Sequence, residues 1–364
     1  MEFQGTSVGL DVHARSIVGF AVDARTEEVW RRGLGADPVG VIDWVASLPG
    51  PVQVAYEAGP TGFVLARALQ VAGVQCVVVA PSKLLRASGD RVKTDRKDAA
   101  LLARQLRLGS VTVVRVPTIG EEHARDLVRA RDDARRDLMA ARHRLSKMLL
   151  RNGFVYDKDK STWTRVHEAW LLQAARSLDR PQRVVFDSYF EQVKFAAVRR
   201  DRLDEVITTE LAMDPEFAGT AARLGCLRGI SDYGAIALTV EIGDFTRFTG
   251  SSIGAYLGLV PSESSSGPSR RQGAITRAGN TFARRLLVEA AWHHLRDYTR
   301  PSMALQRRWD KAPAAVVARA HEGNKRLNAR WRAFTARKKN RNIADVAIAR
   351  ELAGWTWELA TMST

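Results

Sequence analysis

Cysteine is nearly absent from this chain: Cys76 and Cys226 are the only two in 364 residues. Two cysteines build no disulfide framework, and no Cys/His spacing fits a zinc site. Cys76 sits in the apolar run 74–80 and reads as a small buried hydrophobe. Long hydrophobic runs are absent as well. No apolar stretch reaches the roughly 20 residues that span a bilayer, and nothing at the N-terminus resembles a signal peptide. These absences argue against a disulfide-stapled scaffold and against membrane-spanning helices. The expectation is a soluble, cytoplasmic chain of two or three domains with no membrane partner. Acidic charge is also short: 56 Lys and Arg face 40 Asp and Glu, a net charge of +16. The imbalance is concentrated. Between 300 and 341, 13 Lys or Arg stand against Asp310 and Glu322, a net of +11. Such a density seeks a polyanion, and nucleic acid is the first candidate. Lys325, Arg326, Arg330, Arg337, Lys338 and Lys339 are the candidate contacts. Trp309, Trp331 and Phe334 lie among these charges. They can stack on unpaired bases, but the commoner use of such aromatics is in a helix core.

Residues 6–12, 16–22 and 27–32 are apolar or alternating runs bounded by polar turns, which predicts three successive strands. Helical patterns follow at 38–47, 62–71 and 97–106, interleaved with strands at 51–56, 74–80 and 111–116. This is an α/β pattern with a mixed sheet, in the element order of ribonuclease-H-like (RuvC-like) domains, over residues 1–118. From Glu121 the pattern changes. Leu127, Ala134, Leu138, Ala141, Leu145 and Met148 recur at threes and fours, the spacing of a long amphipathic helix with coiled-coil character. Asn152-Gly153 stops it. A second long helix over 182–211 carries Tyr189, Val193, Ala196, Leu203 and Ile207 on one side. The two are expected to pair antiparallel as an arm over 119–215. Residues 216–364 read as a mostly helical, all-α part. Its Gly229…Gly234 spacing before an apolar helix fits a helix-hairpin-helix, whose backbone N–H groups meet a DNA phosphate, although many αα-corners use the same glycines. The Ser/Gly-rich run 261–273 reads from composition as a flexible loop.

Four carboxylates carry the chemistry. Lys93-Thr94-Asp95-Arg96-Lys97-Asp98 puts two acids one helical turn apart at a helix start. Taken alone, the pair also fits a helix cap and its favourable dipole. Asp11 ends the first strand and Glu57 the fourth, at the carboxyl edge of the expected sheet, where an acid is poorly placed unless it binds something. The first and fourth strands are neighbours in a ribonuclease-H-like sheet. All four acids can therefore converge on Mg²⁺, with Mn²⁺ as the alternative. Two such ions about 4 Å apart serve phosphoryl transfer.

In order and context, Asp11, Glu57, Asp95 and Asp98 match the Asp-Glu-Asp-Asp motif of the DEDD-type insertion-sequence transposases. This group is related to the Piv pilin-gene invertase and includes the bridge-RNA-guided recombinases. Gly-Leu-Asp-Val-His, Tyr-Glu-Ala-Gly-Pro-Thr-Gly and Lys-Thr-Asp-x-x-Asp-Ala agree with it. So do Tyr256-Leu-Gly-Leu-Val-Pro261, Ser-Ser-Gly and Ile275-Thr-Arg-Ala-Gly279-Asn in the C-terminal part. The resemblance covers nearly the whole chain. It implies a DNA recombinase that excises and inserts its own element. The N-terminal domain would hold Mg²⁺ on Asp11, Glu57, Asp95 and Asp98. A serine from the C-terminal domain would attack the DNA backbone and form a covalent phosphoserine. Ser266, immediately before Gly267, best matches the nucleophile. Ser265 is the second choice in the run Ser264-Ser265-Ser266. Arg270, Arg271 and Arg277 would clamp phosphates. The resemblance also implies double-stranded DNA and a noncoding guide RNA as partners, with assembly as a homodimer or homotetramer. The alternative is a hydrolytic RuvC-like nuclease without a covalent intermediate.

Overall fold

The computed structural model describes residues 3–84, 94–157, 161–266 and 269–363, and at 265, 266, 269 and 270 the backbone alone. Lys93 of the acid-bearing motif lies outside the described residues. Two compact units divide the chain, Met1–Thr118 and Ile119–Thr364.

The first unit is built on a mixed six-stranded sheet of order β3-β2-β1-β4-β5-β6. Its strands are β1 (Thr6–Val12), β2 (Ser16–Asp23), β3 (Val29–Gly35), β4 (Val52–Glu57), β5 (Gln75–Val79) and β6 (Val113–Val114). The first three run antiparallel, β4 and β5 continue parallel to β1, and β6 closes the edge antiparallel. Strand alternation sorts the side chains onto two faces. Val8, Leu10, Val54, Tyr56 and Val78 face helices α1 (Pro38–Ala46) and α2 (Val64–Val71). The opposite face buries Ala55 and Val79 with Leu102 and Leu106, and Phe20 and Val22 with Ala99 and Ala103, under α3 (Asp95–Arg107). The layering and strand order are compatible with a ribonuclease-H-like domain. Cys76 is buried in β5, and burial pushes its thiol up to about 12.

The second unit is mainly helical. α4 (Ile119–Arg151) pairs antiparallel with α6 (Arg180–Val206). Arg131 binds Asp204 at 2.6 Å, Arg199 binds Asp137 at 2.8 Å, and Gln182 binds Asn152 at 2.7 Å. Those three contacts hold one constant register. Leu138, Ala141, Leu145 and Met148 pack against Phe186, Val193 and Ala196 between the helices. A helix absent from the sequence reading, α5 (Arg165–Ala175), adds Leu171 and Ala174 to that core. Its pattern misleads because Val166 and Leu172 are exposed while His167 is buried. The far end of α6 turns through a π-helical segment, Ile207–Leu211.

The remaining helices are α7 (Pro215–Leu224), α8 (Asp232–Ile242), α9 (Ser252–Tyr256), α10 (Thr281–Ala291), α11 (Met303–Trp309), α12 (Ala314–Ala336) and α13 (Arg341–Thr361). They share one core with Ala124 and Val128 from the start of α4. α8 is buried along nearly its whole length. The run expected to be a flexible loop is instead an antiparallel hairpin of β7 (Pro261–Ser266) and β8 (Ser269–Ile275). Serine is a weak strand former. Tertiary anchoring at the base of the hairpin, which composition does not reveal, decides the outcome.

Candidate functional site

The acid-bearing edge of the first unit follows from one glycine. Gly9 lies in β1 where α3 crosses the sheet, so close that a Cβ there would meet the Ala99 carbonyl oxygen at 2.1 Å and the Ala103 nitrogen at 2.6 Å. Contact at that point fixes the start of α3 over the carboxyl end of β1. Gly9 pairs with Ala55 of β4, and both face α3. Two residues further along each strand, Asp11 and Glu57 leave the sheet on that same face. The loop after Glu57 is fixed by the fully buried Tyr56, whose hydroxyl donates to the Gly62 carbonyl at 3.1 Å.

The α3 cap is Thr94, whose Oγ1 accepts from the Lys97 N–H, so capping does not account for Asp95. Asp95 and Asp98 occupy the first turn, where the helix dipole favours their charge. Asp95 is exposed, while Asp11, Glu57 and Asp98 are half-buried. Among the described residues, Asp11, His13 and Asp95 bring ligand atoms within 4.8 Å of one another. Glu57 and Asp98 do not belong to that close set. His13 is the residue the sequence reading passed over. Its position two places after Asp11 was the available signal, since alternation returns it to the same face. A set of carboxylate oxygens and one imidazole at a sheet edge suits a divalent cation.

In the second unit, two sequence motifs meet at the base of the β7–β8 hairpin. Tyr256 to Pro261 forms one leg and Ile275 to Asn280 the other. A Cβ on Gly258 would meet the backbone of Ala278 at 2.4 Å, and one on Gly279 would meet the Tyr256 carbonyl oxygen at 1.9 Å. Both glycines have positive φ, 65° and 68°. The Thr276 N–H donates to the Val260 carbonyl at 2.9 Å and the Arg277 N–H to that of Gly258 at 3.1 Å. Beyond this clamp, Ser264, Ser265 and Ser266 pair with Arg271, Arg270 and Ser269. The side chains of Ser265, Ser266 and Arg270 lie outside the described residues. Arg271 is exposed. Asn280 follows the clamp, caps α10 and donates to the buried Glu241 of α8. Arg129 of α4 holds the same carboxylate bidentately at 2.7 and 2.9 Å.

Comparison with known proteins locates both regions. Residues 8–153, which include the four acids, match the IS110-type DEDD transposase family model. Residues 221–306, which include the hairpin, match the transposase IS116/IS110/IS902 family. A Sinorhizobium fredii protein named transposase y4qE is 35% identical over 99% of this chain and 89% of its own length. A Leptospira borgpetersenii transposase for insertion sequence element IS1533 is 29% identical over 91% of this chain and 97% of its own. The chain belongs to the IS110 family of transposases. It is thus an enzyme of DNA transposition.

Elsewhere in this transposase the charge is partly spoken for. Arg326 and Arg330 of α12 bind Glu351 of α13 at 2.6 and 2.9 Å, and Arg319 binds Glu358. Lys325, Arg337 and Lys338 are exposed and make no ion pair among the described residues. Lys339 is exposed beside the Phe334 ring. Trp331 is buried and donates to the Ala291 carbonyl, Trp309 donates to that of Cys226, and Phe334 joins the core. These aromatics of the transposase are core residues. Its α7–α8 corner keeps the glycine turn, with Gly229 at φ 88° against the backbone of Ala290. The Gly234 N–H is taken by Ser231 Oγ at 3.0 Å. Among the described residues, no helix is long and apolar enough to cross a membrane.

Proposed function

We propose that this transposase excises and inserts its element through a covalent phosphoserine. Asp11, Glu57, Asp95 and Asp98 would hold Mg²⁺ or Mn²⁺, which supplies charge neutralisation at the scissile phosphate and a more acidic attacking hydroxyl. The convergence of Asp11 and Asp95 at the sheet edge is the observation that carries this reading. Ser266 Oγ loses its proton and attacks phosphorus. The new Oγ–P bond replaces the bond to the departing deoxyribose oxygen, which takes up a proton. Energy of the phosphodiester is kept in the ester, so a hydroxyl from another strand reverses the step without ATP. Ser265 is the substitute nucleophile. Arg270, Arg271 and Arg277 pair with phosphate oxygens.

A noncoding RNA of the element would choose the sites by base pairing with donor and target DNA, leaving the protein to read backbone shape. Lys325, Arg337, Lys338 and Lys339 are assigned to backbone contacts, with Arg326 and Arg330, which Glu351 engages, contributing less. Exchange between two duplexes requires more than one active site, so a dimer or tetramer is the working assembly, located in the cytoplasm and on the nucleoid when bound.

The test is a denaturing gel of the protein on labelled element-end DNA with Mg²⁺ and the flanking transcript. A covalent adduct is expected from the natural sequence and none from Ser266→Ala. An adduct that persists in the triple alanine variant of 264–266 overturns the serine chemistry. Cleaved DNA without any adduct from the natural sequence favours the hydrolytic nuclease instead.

A further inference from the structure

His13 stands between two members of the acid quartet without belonging to it. Its Nε2 is 3.6 Å from Asp11 Oδ2 and 3.4 Å from Asp95 Oδ2. Both separations exceed the N–H···O hydrogen-bond range of about 2.7–3.2 Å. A six-coordinate ion with bonds of about 2.1 Å puts neighbouring donors roughly 3.0 Å apart, so these exposed side chains need close by only about half an ångström to share one ion. The backbone supports this placement. The His13 N–H donates to the Ser16 carbonyl at 2.9 Å, which closes the β1–β2 turn and sets the ring at the end of the strand. The side chain is 51% exposed, so its open side leaves room for water or a substrate oxygen.

Ligand type then decides which ion is favoured. Carboxylates alone suit Mg²⁺, whereas imidazole nitrogen raises affinity along the first transition row and adds little for magnesium. We infer that His13 is a nitrogen ligand of the metal site and makes this transposase prefer Mn²⁺ to Mg²⁺. The inference rests on the metal-site reading above.

Full-length protein titrated with MnCl₂ alone tests it, with free Mn²⁺ followed by electron paramagnetic resonance and the bound ion read by pulsed measurement of ¹⁴N coupling. Imidazole nitrogen coupling is expected in the natural sequence. His13→Gln should abolish it, weaken Mn²⁺ binding about tenfold and leave the Mg²⁺ affinity, derived from competition, within about twofold. No nitrogen coupling in the natural sequence, or equal coupling in His13→Gln, overturns the inference. Asp11→Asn and Asp95→Asn separate the two levels. If both weaken Mn²⁺ binding while His13→Gln does not, His13 alone is removed from the site. If neither weakens it, the metal-site reading falls and the inference with it.

Discussion

Asp345 is an acid that folding treats badly. It is 1% exposed in α13, its Oδ1 has no hydrogen-bond partner, and burial lifts its carboxyl to about 7. The unfolded chain releases that proton near the ordinary carboxylate value. Between about pH 4 and 7 the unfolded state therefore loses a proton that the folded state keeps, and stability falls as pH rises. Above pH 7 the full penalty stands, at most about 4 kcal/mol by linkage. Asp345→Asn should therefore stabilise the second unit progressively more from pH 5 to pH 8. Urea midpoints of both proteins across that range measure it, and a difference that does not grow with pH refutes it. No motif marks Asp345, because its character comes from helices that bury it. Asp11, Glu57, Asp95 and Asp98 stand out in the sequence because each lies at or near the end of an element that the sequence pattern defines. His13 stands out less: alternation returns it to the face of Asp11, but it becomes a ligand candidate only when α3 places Asp95 beside it.

At the scale of elements, Gly9 carries more than any acid. Gly9→Ala drives a methyl into the backbone of α3, which must lift away from β1 and take Asp95 with it. A cost of about 3 kcal/mol or more is expected, at the upper end of overpacking. Thermal unfolding would show the first unit melting lower and Mn²⁺ affinity falling with it. A variant with unchanged melting would mean that α3 does not depend on this contact. The sheet was legible in outline because its strands are apolar or alternating runs bounded by polar turns, and β1 falls on its predicted bounds. α5 and the β7–β8 hairpin were not. The apolar pattern of α5 marks the wrong face, and the hairpin takes its form from Gly258 and Gly279 more than from its serines.

For the molecule as a whole, the net charge of +16 overstates what is open to a polyanion. Arg319, Arg326 and Arg330 already face glutamates of α13. Arg337, Lys338 and Lys339 stand exposed after α12. Replacing those three by alanine should lower the slope of log affinity against log salt by about 2–3 for DNA or RNA, near one per phosphate contact. Arg326→Ala should change it by less than about one unit. Fluorescence anisotropy over a salt series distinguishes the two, and equal slopes would remove this segment from the nucleic-acid interface. The glycine clamp has a consequence of another kind. Its contacts all lie at residues 256–260 and 275–280, while the serines occupy the opposite end of the hairpin. Fastening and reagent are thus kept apart, as in a tool whose bit can be exchanged without loosening the handle. An alanine at the bit leaves every one of those clamp contacts in place, so a silent variant that keeps its melting temperature reports on bond making.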